Sequence, residues 1–275
     1  MPELPEVETI RRQLDRTIKG AVIKDIKIRN IKPLKNVSKK KFIKLVKSTK
    51  ISGTERRAKL LILNLSNKNN IIFYLKMTGR MLLVGKKEAP TKHTHIIFEL
   101  SGLRNLFFED YRKFGFIMLL SEKEMKKYFE KEGYGPEPLS ANFSYKVMKL
   151  CLLAHRTKKI KPLLMEQSCV AGIGNIYASE ICFYARVHPE RRVKDIKEAE
   201  LKKIYEGTKK ILRLAISSGG SSSDTYIDAF GKKGKFVSKL KVYGREGEKC
   251  IGCKGEVKKY KLAGRGTYFC PKCQK

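Results

Sequence analysis

Apolar residues recur at helical spacing at the start of the chain and then give way to short β-like runs. Val7, Ile10, Leu14 and Ile18 follow one another every three or four residues, and Pro5 suits a first helical turn. From about residue 21 to 120, glycines or polar clusters separate several of the apolar runs, which lie at 26–28, 60–65, 71–75, 81–84, 96–100, 106–108 and 116–120. The pattern predicts a helix followed by a β-sandwich or barrel.

The second half of the chain has a helical pattern. A Gly/Pro cluster at 133–138 marks the best candidate domain boundary. Apolar residues between 201 and 216 fit one face of a helix that ends at Gly219-Gly220, and the Ser-, Gly- and Lys-rich stretch 217–235 predicts a mobile loop. We therefore expect an α+β multidomain chain of three parts. These are a β-sandwich domain headed by a helix at 1–133, a helical domain that includes the loop at 134–235, and a small cysteine-bearing hairpin at 236–275.

The charge of the chain points to a polyanionic partner. Lysine and arginine total 61 against 27 acidic residues, which gives a formal net charge of +34. Nucleic acid is favoured over an anionic membrane surface, although compositional bias accounts for part of the excess and stretches such as 39–47 fit solvated faces. No apolar run approaches the roughly 18 residues of a membrane span, and the acidic start does not resemble a signal peptide. We expect a soluble, intracellular protein.

Four of the seven cysteines form a candidate metal site. Cys250, Cys253, Cys270 and Cys273 make two C-x-x-C pairs with sixteen residues between them, a spacing typical of zinc ribbons. Four thiolates fill a tetrahedral shell, so we expect one structural zinc ion. The alternatives are redox-active or singly buried cysteines, or a zinc hairpin that only binds protein. The remaining three, among apolar residues, are expected to be buried free thiols: Cys151, Cys169 and Cys182.

The first residues carry a candidate nucleophile. The small residue after Met1 favours removal of Met1, which exposes the secondary amine of Pro2 beside Glu3. An α-amine titrates about 2.5 pH units below lysine, so at pH 7 it holds far more free base. Such an amine can attack a sugar C1′ and form an iminium while a carboxyl group moves protons. From these residues alone, Pro2 as a plain second residue and Glu3 as a helix-start acid remain the alternative.

Several motifs in the same order resemble the bacterial formamidopyrimidine-DNA glycosylases. The start MPELPEVE resembles the start of that family, and its other motifs have counterparts here at 56–59, 135–139, 172–180 and 242–245, followed by the four cysteines. The segment 56–59 looks like the family's lysine-bearing β-turn, and 172–180 looks like its helix–two-turn–helix motif. The resemblance implies a bifunctional enzyme that excises oxidised purines such as 8-oxoguanine and formamidopyrimidines, then cleaves the strand by β,δ-elimination.

The resemblance also implies roles for individual residues. Pro2 would be the nucleophile that forms the Schiff base and Glu3 the proton donor, with Glu6 near the same site. Lys59 and Arg265 complete the catalytic set as phosphate-binding residues. The predicted DNA-binding residues are His93, Arg112, Asn175 and Lys161, and the wedge that fills the void left by the extruded nucleotide is Met77, Arg112 and Phe114.

Plainer interpretations of these residues remain open. Lys59 could be a lysine at a strand edge, the G-x-G at 172–174 a plain tight turn, and Met77 and Phe114 core residues. His93 and His95 alternate on one strand without a metal-spaced partner, which favours structural roles even though His93 stays in the DNA-binding set.

The chain departs from the family pattern in the predicted wedge loop. Tyr111 stands where proline is usual and Lys113 where arginine is common, which leaves the shape of that loop open. The loop 217–235 matches the family's lesion-capping loop only loosely.

Two rival functions remain at this point. The sister endonuclease VIII-like branch prefers oxidised pyrimidines, but Leu4, the Arg112/Phe114 pair and the long loop 217–235 favour the purine branch. A non-enzymatic zinc protein that binds nucleic acid would need neither a free Pro2 nor Glu3. We expect a monomer of the bacterial cytoplasm that binds damaged double-stranded DNA in a cleft between its domains, with Pro2 and Glu3 at the floor.

Overall fold

The computed structural model describes residues 1–223 and 225–275, which divide into two units. The first unit comprises Met1–Lys131 and Gly219–Lys235, and the second comprises Glu132–Ser218 and Phe236–Lys275. The boundary lies just before the Gly/Pro cluster at 133–138. The sequence pattern placed 217–235 with the helical domain, whereas Gly219–Lys235 packs with the first unit; Asp224, inside the predicted loop, lies outside the described residues.

The first unit consists of three helices and two four-stranded antiparallel sheets. Its helices are α1 (Leu4–Ile18), α2 (Lys39–Val46) and α3 (Glu122–Glu132). Its strands are β1 (Ile23–Ile28), β2 (Ile51–Arg57), β3 (Leu60–Leu65), β4 (Asn69–Tyr74), β5 (Gly79–Gly85), β6 (Thr94–Leu100), β7 (Arg104–Asp110) and β8 (Phe116–Ser121). One sheet has the order β1-β6-β7-β5 and the other β2-β3-β4-β8.

The two sheets share one apolar core. The ring of Phe73 on β4 lies 6.0 Å from that of Phe98 on β6 and 6.1 Å from that of Phe108 on β7, so side chains from the two sheets interdigitate. Ile10 and Leu14 of α1 belong to the same buried cluster. The predicted β-sandwich headed by a helix is confirmed.

Three elements of this unit were not predicted. Strand β2 carries Gly53 and several polar residues, so its pattern does not alternate clearly. Helix α2 lies in the lysine-rich stretch for which solvated faces were an alternative, but Phe42 and Val46 on its inner face are fully buried. Helix α3 has no fully buried residue, which explains why apolar periodicity did not reveal it.

The second unit combines helices with a terminal β-hairpin. Its helices are α4 (Tyr145–Ala154), α5 (Ile160–Met165), α6 (Asn175–Ala185) and α7 (Glu198–Ser217), and its strands are β9 (Lys258–Leu262) and β10 (Arg265–Phe269). The apolar pattern at 201–216 is confirmed as the buried face of α7. Among the described residues, no helix has both the length and the apolar character needed to span a bilayer.

A disulfide bond joins Cys151 of α4 to Cys169, so the prediction of free thiols is wrong for this pair. The two residues are 18 positions apart, but folding of the helical unit brings their Cα atoms within 5.5 Å, a proximity that sequence spacing does not reveal. Cys182 is a buried free thiol as predicted, and burial raises its pKa to about 12.

Candidate active site and metal centre

The start of α1 brings Pro2 together with two buried carboxyl groups. Pro2 is buried, and Glu3 and Glu6 are 2% and 1% exposed. The backbone N–H of Glu3 donates to Glu6 Oε2 at 2.8 Å, which holds the Glu6 side chain over the start of the helix. Negative charge is also favoured there by the helix dipole. A proline amine beside two carboxyl groups suits nucleophilic attack with local proton transfer.

The segment Gly219–Lys235 packs against the same helix. The backbone N–H of Ser221 donates to Glu6 Oε1 at 2.8 Å, so the Glu6 carboxylate bridges this segment and the start of α1. The hydroxyl of Tyr226 donates to the Gly219 carbonyl at 3.1 Å. Gly220 has φ +84°, and a Cβ there would lie 2.9 Å from Tyr226 and 3.0 Å from Glu6. Only glycine fits this approach of backbone to the Glu6 side chain.

Gln13 and Tyr226 fix the position of this segment further. Gln13 Nε2 donates to Asp228 Oδ2 at 2.8 Å, and Gln13 Oε1 accepts from the Ala229 N–H at 2.9 Å. Burial, together with the negative charges of Glu6 and Asp228, raises the pKa of Tyr226. Tyr226 therefore stays a neutral hydrogen-bond donor beside the candidate active site.

Lys59 lies in the two-residue turn between β2 and β3, and α1 helps to hold that turn. Ala58 adopts a left-handed backbone conformation with φ +51°, and Lys59 is 6% exposed. Arg56 Nη1 donates to the Ala58 carbonyl at 2.8 Å and Arg56 Nε donates to Glu8 Oε2 at 3.2 Å. The helix that begins at the Pro2–Glu3 pair therefore also positions the lysine-bearing turn.

Glu8 is ionised at neutral pH by its basic neighbours. Burial by itself would raise the pKa of Glu8, but hydrogen bonds from Arg11 and Arg12 and the positive charges of Arg11 and Arg56 outweigh it, so its pKa lies below the ordinary value. The Glu8–Arg56 pair is consequently a charged hydrogen bond at a largely buried position, 12% and 9% exposed.

The three predicted wedge residues come together at the protein surface. Arg112 Nη1 lies 3.1 Å from Met77 Sδ, and the Arg112 guanidinium lies 4.8 Å from the centre of the Phe114 ring. Phe114 is 53% exposed and Met77 half-buried, so Phe114 is not a core residue. The fully buried Asp110 accepts hydrogen bonds from the Thr78 hydroxyl and from backbone N–H groups of the same loop, which fixes its path.

Tyr111, where the family usually has proline, forms a stack that the sequence did not predict. Its ring lies 4.1 Å from the His93 ring and 4.7 Å from the Arg80 guanidinium. Arg80 Nη1 donates to the Tyr111 hydroxyl at 3.1 Å, and Arg80 Nη2 donates to the Thr225 carbonyl at 2.9 Å. His95 is 2% exposed and its Nε2 lies 2.8 Å from the Asp110 carbonyl. His95 is therefore a structural residue, whereas His93 is part of a partly exposed stack.

The loop before α6 is shaped by one glutamine. Gly172 has φ +87° and its N–H donates to Gln167 Oε1 at 2.8 Å, while Gln167 Nε2 donates to the Ile173 carbonyl at 2.9 Å. Helix α6 begins directly after this loop, at Asn175. N–H groups at a helix start are suited to binding a phosphate group.

Asn175 and Lys161 join the start of α6 to the zinc hairpin. Asn175 Nδ2 donates to the Gly266 carbonyl at 2.9 Å. Lys161 is 1% exposed, and its Nζ donates to Asn175 Oδ1 at 2.6 Å and to Thr267 Oγ1 at 2.9 Å. Lys161 was predicted to bind DNA, and in the structure its ammonium group makes these two hydrogen bonds inside the helical unit.

The four cysteines of the hairpin unit converge on one point. All four Sγ atoms lie within 4.8 Å of one another, with Cys250–Cys273 at 3.8 Å and Cys253–Cys270 at 3.4 Å. A tetrahedral zinc site with Zn–S bonds of about 2.3 Å requires sulfur–sulfur distances of about 3.8 Å. The donor set therefore fits one structural zinc ion with a complete shell of thiolates.

Arg265 lies near the tip of the hairpin. It is exposed, begins β10, and follows a turn in which Ala263 and Gly264 have φ +46° and +74°. At the other end of the hairpin unit, the carboxylate of Glu180 on α6 accepts backbone N–H groups of Lys241, Val242 and Tyr243 at 2.9–3.0 Å. Helix α6 therefore binds the C-terminal segment at two points, Gly266 in the hairpin and the backbone of residues 241–243 before it.

The sequence analysis did not predict the residues that hold these candidates in place. Gln167, Glu180, Asp110 and Glu8 each accept or donate several hydrogen bonds around a candidate residue. Glu8 and Glu180 lie inside motifs that resemble the family, at the start of the chain and at 172–180, and Asp110 directly precedes the predicted wedge loop; these were the signals available for them.

Known protein families and full-length relatives match this chain from its first residue to its last. Three family models match: the Formamidopyrimidine-DNA glycosylase N-terminal domain at residues 1–117, the Formamidopyrimidine-DNA glycosylase H2TH domain at 134–226, and the zinc finger found in FPG and IleRS at 247–275. The formamidopyrimidine-DNA glycosylase of Listeria innocua is 40% identical over 279 residues, with complete coverage of both chains. That of Streptococcus thermophilus is 40% identical over 275 residues, again with complete coverage of both.

Solved structures give the same result. A variant of the Lactococcus lactis FPG in complex with a Fapy-dG containing DNA has a TM-score of 0.93 at 39% identity, with 100% of both chains covered. The Lactococcus lactis Fpg with an abasic site containing DNA has a TM-score of 0.92 at 39% identity, with 99% of both chains covered. With family models over most of its length and full-length relatives at 40% identity, the chain belongs to the formamidopyrimidine-DNA glycosylase family.

Proposed function

We propose that Pro2 is the nucleophile and Glu3 the proton donor of this enzyme. As a member of its family, the chain is a base-excision-repair glycosylase for oxidised purines that also has AP-lyase activity. The observation that carries the residue assignment is the burial of Glu3 and Glu6 at the start of α1, beside Pro2. Removal of Met1 makes the Pro2 nitrogen a secondary amine and therefore a nucleophile.

The proposed chemistry begins at C1′ of the damaged nucleotide. The Pro2 nitrogen forms a bond to C1′ while the bond from C1′ to the base breaks; the base leaves with its electron pair and takes up the proton that the Pro2 nitrogen loses. Glu3 protonates the ring oxygen as the C1′–O4′ bond opens, which gives an iminium between Pro2 and the sugar. Loss of a C2′ proton then expels the 3′ phosphate, loss of the C4′ proton expels the 5′ phosphate, and water hydrolyses the iminium to release Pro2.

We further propose that the remaining candidates bind and distort the DNA. Lys59, Asn175 and Arg265 contact phosphates, and Lys161 orients Asn175 for that contact. His93 contacts the DNA from the stack with Tyr111. The wedge enters the space left by the extruded nucleotide. The exposure of Phe114 and its proximity to Arg112, which also contacts Met77, support this role.

We also propose that the protein acts as a monomer in the bacterial cytoplasm on chromosomal DNA. The bacterial sources of its relatives support the location, and one chain supplies every residue proposed above. Light scattering of the DNA complex tests the first part. A mass of two protein chains on one single-lesion duplex would refute it.

Two variants test the assignment of Pro2 and Glu3. Glu3→Gln keeps the size of the side chain but removes its titrating proton, so excision of 8-oxoguanine from a duplex should fall at least 100-fold. Borohydride trapping on pre-formed abasic DNA should persist, because an abasic site already exists partly as the open aldehyde. Retention of Met1 should abolish both activities.

Glu130→Gln, an exposed change on α3, is the matched control and should leave both activities intact. If the protein that retains Met1 traps abasic DNA at the unmodified rate, the nucleophile is another amine and the Pro2 assignment is wrong. A panel of single-lesion duplexes tests the substrate class, since a preference for oxidised pyrimidines would contradict it.

A further inference from the structure

The helical unit contains an apolar groove that the proposed reaction does not use. Its volume is about 350 Å³, at the lower end of the range for ligand pockets. Apolar side chains from α6, α7, the short helical turn Phe236–Lys239 and the first zinc-binding loop line it: Phe183, Ile211, Leu214, Phe236 and Ile251. We call this set the apolar groove. Leu214 is 41% exposed and Ile251 55% exposed, so the groove presents large apolar side chains to solvent.

Basic side chains surround the apolar groove. Arg186, Lys210, Lys239 and Lys241 belong to its lining, and all four are exposed. Among the described residues that line it, the one acid is Glu180, and its carboxylate already accepts the backbone N–H groups of residues 241–243. The groove is therefore apolar at its base and positive at its rim.

Within the second unit, the groove lies away from the DNA contacts proposed for Asn175 and Arg265. It includes Phe183 near the end of α6, whereas Asn175 begins that helix, and a helix of 11 residues is about 16 Å long. In the hairpin unit it includes Ile251 of the first zinc-binding loop, whereas Arg265 follows the turn at the far end of the strands. A ligand in the groove and a phosphate at Asn175 or Arg265 would occupy different ends of the same elements.

The apolar base and the positive rim together indicate which kind of ligand fits the groove. A nucleic acid backbone would use the rim but gain nothing from leucine and isoleucine side chains. A second copy of this chain, with a net charge of +34, would be repelled by the rim. An acidic peptide segment with one or two large apolar side chains satisfies both features, because carboxylates complement the rim while the apolar side chains fill the base.

We propose that the apolar groove is a docking site for an acidic, apolar peptide segment of a partner protein. The segment binds while the enzyme is on DNA, so the partner recruits the enzyme or receives its product without competing for the substrate. The site depends on zinc, because Ile251 lies between the ligands Cys250 and Cys253.

The test uses the zinc-loaded full-length chain, saturated with a duplex that carries a tetrahydrofuran abasic analogue to occupy the DNA-binding surface. The probe is fluorescein-labelled Glu-Asp-Phe-Glu-Asp-Leu-Glu-Asp, followed by fluorescence anisotropy. We expect binding with a Kd below about 100 μM, a modest affinity for a small contact. The matched peptide with serine in place of Phe and Leu has the same charge and should bind at least 10-fold more weakly.

Variants of the protein locate the site. Leu214→Glu and Ile251→Glu each place a negative charge in the groove and should weaken peptide binding at least 10-fold. Lys210→Glu at the rim should weaken it about 3- to 10-fold. The matched controls are Leu103→Glu, at a leucine that is 90% exposed outside the groove, and Lys202→Glu on the same helix as Lys210; both should stay within twofold.

Four other outcomes would each contradict the proposal. Equal binding of the two peptides means charge alone attracts them, and equal binding to the groove variants and their controls puts the peptide elsewhere. Displacement of the peptide by further duplex means that it binds the DNA surface. Absence of binding at 1 mM peptide, about the weakest affinity of practical interest, also rejects the site. DNA affinity and zinc content, measured on every variant, confirm that each one is folded.

Discussion

Replacing Lys161 by methionine removes a buried ammonium group and keeps a side chain of similar length. Its Nζ donates to Asn175 Oδ1 at 2.6 Å and to Thr267 Oγ1 at 2.9 Å. Hydrogen bonds from a charged group contribute about 1.5–3 kcal/mol each, whereas burying the ammonium costs several kcal/mol. These two effects largely offset each other, so we expect the free energy of unfolding to change by no more than about 2 kcal/mol.

The effect on DNA binding should be larger and should have a particular salt dependence. Without Lys161 the Asn175 amide loses the donor that fixes its orientation, so we expect about 10-fold weaker binding, equivalent to about 1.4 kcal/mol. Because the ammonium is 1% exposed, we expect it to contact no phosphate itself, so the slope of log K against log salt should stay almost unchanged. Lys59→Ala or Arg265→Ala should instead reduce that slope by about 0.9.

Fluorescence anisotropy on one duplex, over a salt series from about 50 to 200 mM, measures both quantities. Lys146→Met, at an exposed position on α4, is the matched control for the loss of one positive charge. A slope that falls by about 0.9 in Lys161→Met would mean that the ammonium contacts a phosphate directly. Unchanged affinity would refute the positioning role.

Three further predictions concern zinc, pH and the wedge loop. Cys253→Ser should release zinc and weaken duplex binding by about 100-fold or more while the first unit stays folded. The reason is that the apolar core of the hairpin is too small to keep it folded without the metal. Metal analysis together with anisotropy measures both effects, and full DNA binding by the zinc-free protein would contradict the prediction. Glu8→Gln should lower the free energy of unfolding by about 1.5–3 kcal/mol at pH 7. Folding lowers the pKa of Glu8 below its ordinary value of 4.5, so the loss of stability in Glu8→Gln should be complete above pH 4.5 and should shrink as the pH falls through the folded pKa. Urea titrations at several pH values measure this loss, and a loss that does not depend on pH would refute the role of the Glu8 charge. Tyr111→Ala should lose about 1 kcal/mol of stability through its contacts with His93 and Arg80, whereas Tyr111→Phe should lose less than about half of that; equal losses would assign the effect to the hydroxyl.

The sequence predicted those features that short segments encode. The spacing of four cysteines determines which thiols can share one metal ion. The helical spacing of Val7 to Ile18 determines which face of α1 is buried. The order of the motifs pointed to the family because each motif is a short continuous segment that can be recognised without knowledge of the fold.

Features that depend on tertiary proximity could not be predicted in the same way. Cys151 and Cys169 meet only after α4 packs in the helical unit, and Tyr111 meets His93 and Arg80 only after three separate strands form one sheet. Strand β2 was missed for a local reason, because Gly53 and the polar residues give it a weak pattern although its partner β3 follows directly. For the disulfide and the Tyr111 stack the partners are distant in sequence, so local spacing carries no information about the contact.

Asn175 shows how such a distant contact can serve function. Its Nδ2 carries two hydrogens, and the bond to the Gly266 carbonyl uses one of them, while Oδ1 accepts from Lys161. The amide is therefore held in one orientation before DNA arrives, so a phosphate that accepts the second hydrogen does not have to order the side chain. Gly266 and Thr267 belong to the hairpin that the zinc ligands hold together. We therefore expect loss of zinc to lower DNA affinity through the orientation of this one side-chain amide, in addition to the presentation of Arg265.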